Sequence, residues 1–202
     1  MKTILIDSLN VKYLAVGDDF RFGYKREGGF NLLHKVGEAH GMQVEDTQTQ
    51  MQDGERISST RIRESLNNGN ISIANNLLGH SYQLNGRVRH GDKRGRTIGF
   101  PTLNIKVPNR IALQFGVYAV KVHGLSDKPL NGISNLGVRP TVNGKENRLE
   151  THVFDFDKDV YGEHIDVEFV EFIRAEHRFE NFDELKQQID LDAIKAKSIL
   201  DI

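Results

Sequence analysis

The hydrophobic periodicity of this chain changes near Ser81, and no other feature constrains its fold as strongly. The first part alternates strand and helix patterns: a strand near 13–16, a helix near 28–39, a short strand near 42–45 and then two helices. Such alternation is typical of an α/β domain. Beyond Ser81 the apolar residues recur at every second position, as in strands with one buried face. We therefore predict an α+β chain, with an α/β domain over residues 1–79 and a β domain over 80–202.

Capping residues mark the two helices that precede this boundary. Ser58 or Ser59 is placed to cap the first helix, and Gly69 follows it as a stop signal. Ser72 is placed to cap the second, which ends at Gly79. The pattern predicts a pair of short helices directly before the β domain.

The first strand, near Tyr13–Val16, is apolar enough for the centre of a sheet, yet few residues precede it to supply neighbouring strands. We therefore expect that a segment of the α/β domain is missing and that the exposed strand can promote self-association. Asp7, Asn10 and Lys12 interrupt the opening residues. We expect neither a signal peptide nor a membrane span there.

Composition narrows the classes of partner. The 27 Lys and Arg residues nearly balance the 28 Asp and Glu residues, so no overall positive field draws the chain to nucleic acid. The absence of cysteine excludes disulfides, zinc–thiolate sites and cysteine nucleophiles, and it fits a reducing compartment. We expect a cytoplasmic protein without nucleic-acid or membrane partners, and a nucleic-acid-binding barrel is the weaker alternative.

Alternating strands separated by Gly and Pro predict a small antiparallel barrel, because closing the sheet removes its exposed edges. The predicted inward sets are Tyr82, Leu84 and Val88; Tyr118, Val120 and Val122; and Ile165, Val167, Phe169 and Ile173. A helix follows, since Asn181 and Glu184 have the spacing of a capping box. Its apolar stripe is expected to pack on the barrel and comprises Phe182, Leu185, Ile189 and Ala193.

Residues 90–104, HGDKRGRTIGFPTLN, combine glycines with basic side chains. Glycine allows the backbone to approach an anion closely, and cations add attraction for phosphate. The residues concerned are Gly91, Gly95 and Gly99 with Lys93, Arg94 and Arg96. A solvated hairpin tip fits the same spacing. The sequence contains neither a Walker A loop nor a dinucleotide fingerprint, so a phosphate site would need another architecture.

Thr102 and Asn104 follow at the start of a predicted strand, on the same side, with Leu103 opposite. Two neutral oxygens suit Mg²⁺, which takes its strongest negative ligands from nucleotide phosphates. An ordinary strand start gives the same pattern.

Glu150 begins the strand ETHVFDFD, and the predicted face that carries it also carries His152, Phe154 and Phe156. A carboxylate on an apolar face can be a base held near a substrate, or a solvent-facing edge residue. Residues 131–141, NGISNLGVRPT, have a pattern that ends a strand and turns sharply, through Asn135, Gly137 and Pro140. A binding loop and a structural turn both fit that segment.

In series, four motifs resemble the riboflavin kinase module: GRTIGFPTLN at 95–104, GVYAV at 116–120, NLGVRPT at 135–141 and ETHVFDFDKDVYG at 150–162. Upstream, GDDFRFG at 17–23 and ISSTRIRESL at 57–66 resemble the later part of the FMN adenylyltransferase domain of prokaryotic bifunctional riboflavin kinase/FAD synthetases. The resemblance implies a partial α/β nucleotidyltransferase domain followed by a six-stranded antiparallel barrel with a C-terminal helix.

The resemblance also implies an activity and a site. The module would make FMN from riboflavin and ATP with Mg²⁺. Thr102 and Asn104 would bind Mg²⁺ and nucleotide phosphate, and Glu150 would activate the riboflavin 5′-hydroxyl. The loop from Gly91 to Gly99, with Lys93, Gly95 and Arg96, resembles the flap over the phosphates, and Asn135 and Gly137 match substrate-binding positions.

The family's adenylyltransferase needs an HxGH-type motif, which does not occur in these residues. Ser58, Ser59, Thr60 and Arg63 match the rest of a nucleotide site that would function only in a complete domain. We therefore expect riboflavin kinase activity with adenylyl transfer lost. The alternatives are a bifunctional enzyme that also makes FAD and a non-catalytic flavin-binding remnant.

Overall fold

The structure is a computed structural model that describes residues 2–91, 99–141 and 144–202. For residues 139–141, 144 and 145 it describes the backbone only. The chain forms two compact units, Met1–Ile57 and Ser58–Ile202. Within the described ranges, no helix is both long and apolar enough to cross a lipid bilayer.

The first unit is a small α/β structure. After a π-helical segment at Lys2–Ser8 come β1 (Tyr13–Gly17), a 3-10 turn (Tyr24–Arg26), α1 (Phe30–His40), β2 (Gln43–Thr47), β3 (Met51–Gln52) and β4 (Glu55–Arg56). Strands β1 and β2 are parallel, and β3 and β4 form an antiparallel pair. The predicted strand, helix and strand are confirmed to within two residues at each end. Their core is small, consisting of Val16, Leu33, Met42 and Val44.

The second unit begins with the predicted helix pair, α2 (Ser59–Asn67) and α3 (Ile71–Leu78). Ser58 caps α2, because its hydroxyl accepts a hydrogen bond from the Arg61 backbone N–H at 3.2 Å. The prediction that Ser72 caps α3 is wrong, since Asn70 holds the cap position, without a side-chain bond. Ile71, only 2 % exposed, is drawn into the core and starts the helix before Ser72.

The helix pair packs with the barrel. Leu66, Ile71 and Ala74 belong to the cluster that fills the barrel interior. Asn75 joins α3 to the first barrel strand, because its Oδ1 accepts from the Tyr82 N–H at 2.7 Å. The compact units therefore divide between residues 57 and 58. The boundary at residues 79 and 80 stays a prediction about where the two sequence modules join.

The predicted six-stranded antiparallel barrel is confirmed. Its strands are β5 (Gln83–Arg87), β6 (Leu103–Lys106), β7 (Gly116–His123), β8 (Leu130–Thr141), β9 (Gly144–Val153) and β10 (His164–Ala175). They pair in the order β5-β10-β7-β8-β9-β6. The Arg89 N–H donates to the Asn104 carbonyl at 2.8 Å beside β6, so the first and last strands of this order nearly close the barrel.

Two predictions about these strands are wrong. Irregularities in the pairing of β10 with β7, between Phe169 and Glu171 and between Phe172 and Arg174, move Ile173 to the outer layer. The turn predicted within residues 131–141 does not form, because β8 runs through this segment and pairs with both β7 and β9.

The C-terminal helix α4 (Phe182–Ile199) covers the outer face of the sheet. Its capping box is confirmed: the Glu184 N–H donates to Asn181 Oδ1 at 2.9 Å, and Asn181 Nδ2 donates to Glu184 Oε1 at 2.8 Å. Of the predicted stripe, Ala193 packs in the outer layer, whereas Phe182 remains 55 % exposed. The outer layer consists of Val117, Ala119, Ile133, Phe154, Ile173, Ala193, Ala196 and Leu200.

An ion pair fixes α4 against β10. Arg174 Nε lies 3.0 and 2.9 Å from the two carboxylate oxygens of Asp192, which is 4 % exposed. We expect Asp192→Ala to lower the free energy of unfolding by about 3 kcal/mol, because Arg174 would keep a mostly buried charge without its partner. Urea unfolding measures the loss. Asp190→Ala, at an exposed position on the same helix, is the control, and equal losses in both variants would contradict the expectation.

Candidate active site

A cavity of about 480 Å³ lies on the outer face of the barrel, between the sheet and α4. One row of directly paired residues crosses five adjacent strands and lines it. Asn104 on β6 is opposite Glu150 on β9, and Glu150 is opposite Asn135 on β8. Val117 on β7 and Arg174 on β10 continue the row. Directly opposite residues of antiparallel strands point to the same face, so three predicted site residues meet here.

Glu150 is partly exposed at the centre of this row, with 43 % of its side chain accessible. Arg148 Nη1 lies 3.7 Å from Glu150 Oε1, and this nitrogen is buried and makes no hydrogen bond to any described residue. Sequence reasoning missed Arg148. Its spacing of two residues from Glu150 was the available signal, since alternate residues of a strand share a face.

Asn104 is 5 % exposed and points toward Thr102. Its Nδ2 donates to the Thr102 carbonyl at 3.3 Å and lies 3.4 Å from Thr102 Oγ1. Its Oδ1 is buried and has no hydrogen-bond partner among the residues that the structure describes. A buried acceptor without a partner costs folding free energy, so this oxygen is suited to a ligand. Leu103, between them, packs against the barrel interior, as predicted.

The donor set fits a Mg²⁺ ion that shares its coordination with phosphate. The Thr102 hydroxyl and the Asn104 Oδ1 are hard oxygen ligands of the kind that Mg²⁺ prefers. Among the described residues, no group of three or more His, Asp or Glu side chains could hold a metal ion.

Gly91 lies against the Asn104 amide. A Cβ at this position would lie 2.7 Å from Asn104 Cγ and 2.8 Å from Oδ1, so only glycine leaves room for the amide. Gly99 instead has a φ of 86°, which favours glycine for its conformation. The other predicted loop residues, Lys93, Arg94, Gly95 and Arg96, lie outside the described residues.

Asn135 is next to Glu150 and lines the cavity, whereas Gly137 lies two residues further along β8, opposite Arg148. A side chain at Gly137 would collide with a carboxylate oxygen of Glu176. Glu176 is exposed at the cavity edge, and partial burial raises the pKa of its carboxyl while Arg174 lowers it. Sequence reasoning missed Glu176, which lies outside every motif.

His152 also lines the cavity, on the Glu150 face of β9. Its Nδ1 lies 2.9 Å from the Pro101 carbonyl oxygen. Burial lowers the pKa of the His152 imidazole, and the nearby Lys197 adds to this, while the Pro101 carbonyl and Asp155 oppose it. Phe156, which was predicted on this face, packs against the barrel interior instead, because β9 ends at Val153 and the chain turns at Asp155, where φ is 53°.

The wall opposite the sheet is aromatic and aliphatic. It comprises Phe179 before α4 and then Phe182, Leu185 and Ile189 of α4. The Arg174 guanidinium lies 5.6 Å from the centre of the Phe179 ring. The sequence pattern placed most of these residues in a stripe that packs on the barrel, and they line a cavity instead. A wall of this kind suits a flat, largely apolar ring system.

A second, smaller cavity of about 60 Å³ shares Thr102 with the first. Its other lining residues come mainly from the segment after β9 and include Phe156, Val160 and Tyr161. Thr102 therefore lies between the two cavities, at the candidate metal position.

The predicted transferase residues lie elsewhere, at the start of α2. Ser58 is half-buried and its hydroxyl is used in the helix cap, whereas Ser59, Thr60 and Arg63 are exposed. None of the four lines the main cavity.

The second unit is a nearly closed six-stranded antiparallel barrel with a cavity between its outer face and a C-terminal helix. A model of the riboflavin kinase family matches residues 78–200, which is more than half of the chain. The chain therefore belongs to the riboflavin kinase family. A model of FAD synthetase matches residues 1–61, so the resemblance to the bifunctional enzymes is confirmed at both ends of the chain.

Known proteins are similar to this chain in sequence and in structure. The bifunctional riboflavin kinase/FMN adenylyltransferase of Escherichia coli K12 is 50 % identical over 96 % of this chain and 62 % of its own length. The protein of that name from Haemophilus influenzae is 48 % identical over 96 % of this chain and 63 % of its own length. A Streptococcus pneumoniae crystal structure titled macrolide-efflux protein has a TM-score of 0.74 and 33 % identity, covering 93 % of this chain and 60 % of that one. The chain thus spans less than two thirds of these relatives.

Proposed function

We propose that this chain is a riboflavin kinase, which transfers the γ-phosphoryl group of ATP to the 5′-hydroxyl of riboflavin and yields FMN, ADP and a proton. The observation that carries the proposal is the Asn104 Oδ1, which is buried directly beside Glu150 at an aromatic-walled cavity and has no hydrogen-bond partner within the described ranges of the chain. Phosphoryl transfer needs alignment of the hydroxyl and neutralisation of charge more than it needs covalent chemistry from the protein.

Thr102 and Asn104 would hold Mg²⁺ through Oγ1 and Oδ1. When bound, the ion neutralises charge on the nucleotide phosphates. The Asn104 amide is already oriented for this role, because its Nδ2 donates to the Thr102 carbonyl and no other described residue bonds to its Oδ1. Gly91 keeps the space around that amide open.

Glu150 would accept the proton of the 5′-hydroxyl as the new oxygen–phosphorus bond forms. Its place between Asn104 and Asn135 sets the hydroxyl beside the phosphate end of the site. The Arg148 guanidinium, with Nη1 3.7 Å from Glu150 Oε1, would hold this carboxylate in its ionised form, ready to accept the proton.

The flavin ring would occupy the main cavity, against Phe179 and the α4 residues Phe182, Leu185 and Ile189. A volume of about 480 Å³ is in the range of small-molecule sites. The smaller cavity on the other side of Thr102 would contact the nucleoside, so that the two substrates meet at Thr102, Asn104 and Glu150.

The test is to incubate the purified chain with riboflavin, ATP and Mg²⁺ and to separate riboflavin, FMN and FAD by chromatography. FMN is expected, and EDTA is expected to abolish it. Folded protein that yields no FMN would contradict the proposal and favour a non-catalytic flavin-binding protein.

We also propose that these residues alone do not make FAD, because they contain no HxGH-type motif. FAD formation in the same assay would favour the bifunctional alternative. The cytoplasmic location and self-association through the first unit stay predictions.

Replacing Gly91 by alanine is expected to weaken binding of Mg²⁺ with ADP by about tenfold, because the added methyl displaces the Asn104 amide. The φ of Gly91 is not in the left-handed region, so the loss would come from lack of space. Isothermal titration calorimetry measures the Kd. Riboflavin binding serves as the internal control, and an unchanged nucleotide Kd would show that the amide does not contact the ligand.

A further inference from the structure

His152 joins two parts of the site that are far apart in the sequence. Its Nδ1 is bonded at 2.9 Å to the carbonyl oxygen of Pro101, 51 residues earlier in the chain. A carbonyl oxygen only accepts hydrogen bonds, so Nδ1 carries the hydrogen. The ring is held edge-on between Phe100 and Phe154, at centroid distances of 5.0 and 5.7 Å. Its orientation is thus fixed by both a polar and an apolar contact.

This bond secures backbone that the sheet does not hold. Strand β6 begins at Leu103, whose partner on β9 is Thr151, so Pro101 and Thr102 precede the first pair of the ladder. The backbone ladder itself therefore does not fix Pro101 relative to β9. The His152 N–H provides a direct attachment of Pro101 to β9, one residue before Thr102.

The effect extends to the side-chain oxygen of Asn104. The Thr102 carbonyl accepts from Asn104 Nδ2 at 3.3 Å, so the position of Thr102 determines where Asn104 Oδ1 points. A series of contacts therefore leads from His152 through Pro101 and Thr102 to Asn104. His152 shares its strand and face with Glu150, which connects the same series to the carboxylate.

We propose that His152 is a positioning residue, whose Nδ1–H holds the Pro101–Thr102 segment at a fixed distance from Glu150. The inference rests on the proposed kinase function, in which Thr102 and Asn104 face the nucleotide phosphates and Glu150 faces the hydroxyl. Loss of the bond lets Thr102 move away from β9 and weakens binding of the metal–nucleotide complex. Glu150 keeps its backbone pairing with β6 and β8, so riboflavin binding changes less.

Two substitutions distinguish the effect of the His152 hydrogen bond from the effect of its aromatic ring. His152→Phe keeps an aromatic ring between Phe100 and Phe154 but has no donor, whereas His152→Asn places an amide N–H near the position of Nδ1. We expect His152→Phe to raise the Kd of Mg²⁺ with ADP and the KM for ATP about fivefold, the effect of one hydrogen bond. His152→Asn is expected to remain within about twofold of the wild type. A Phe variant with wild-type affinity, or an Asn variant as weak as the Phe variant, would overturn the inference.

Nitrogen-15 NMR of the wild-type protein tests the same bond without a substitution. We expect the neutral His152 ring to carry its hydrogen on Nδ1, and a hydrogen on Nε2 instead would overturn the inference. The two proposals fail separately. Absence of FMN from the wild-type assay would refute the kinase function, while the tautomer of His152 would still decide whether the tie to Pro101 exists.

Discussion

Replacing Glu150 by glutamine is expected to lower kcat for FMN formation by about 10²–10⁴-fold, the usual contribution of a general base. The amide is close to the carboxylate in shape but cannot accept the 5′-hydroxyl proton. Because the backbone pairing of Glu150 with Asn104 and Asn135 does not depend on the side chain, the Kd values of riboflavin and of Mg²⁺ with ADP are expected to change little. Steady-state rates and a riboflavin fluorescence titration measure the two effects.

Glu146→Gln is the matched control for this variant. Glu146 lies on the same strand, four residues before Glu150, and its carboxylate is paired with Lys106 at 3.0 Å. We expect loss of the Glu146 carboxylate to leave kcat unchanged. Full turnover by Glu150→Gln would remove Glu150 from the role of base. A loss of riboflavin affinity in proportion to the loss of rate would show that Glu150 serves binding.

The barrel interior could be predicted because strand periodicity follows from backbone geometry alone. Val120, Val122 and Val167 recur at the expected spacing, and all three are fully buried. The same reasoning fails at Ile173, since it lies beyond irregularities in the pairing of β10 with β7. A bulge depends on how a strand pairs with its neighbour, and the strand's own pattern does not reveal it.

The individual site residues could be predicted from the sequence, but their proximity in the folded protein could not. Thr102, Asn104 and Glu150 each lie in a motif that suggests oxygen chemistry, yet their proximity depends on β9 lying between β6 and β8. Arg148 and Glu176 carry no motif, and their positions follow only from the folded sheet. The α4 stripe was misleading for another reason. An apolar stripe shows that a helix face is covered, but it does not distinguish a protein core from a ligand cavity.

Residues 58–79 are expected to be required for the stability of the barrel. Leu66, Ile71 and Ala74 of the helix pair are 2 %, 2 % and 0 % exposed and belong to the interior cluster of the barrel. A chain beginning at Ser58 is expected to fold and to form FMN, since the first unit has a core of its own. A chain beginning at His80 would lose about 5 kcal/mol of burial, which is comparable to the whole stability of a small domain. Circular dichroism and urea unfolding compare the two.

A pair of point variants tests the same contact in the full chain. Ile71→Ala is expected to lower the free energy of unfolding of the barrel by about 3 kcal/mol, because it leaves a space at a fully buried position. Ile73, two residues later on the same helix, is 46 % exposed, so Ile73→Ala is expected to cost less than about 1 kcal/mol. If both variants cost the same, or if the chain from His80 is as stable as the chain from Ser58, α3 does not support the barrel. The boundary predicted from periodicity, between residues 79 and 80, would then also be the boundary of independent folding.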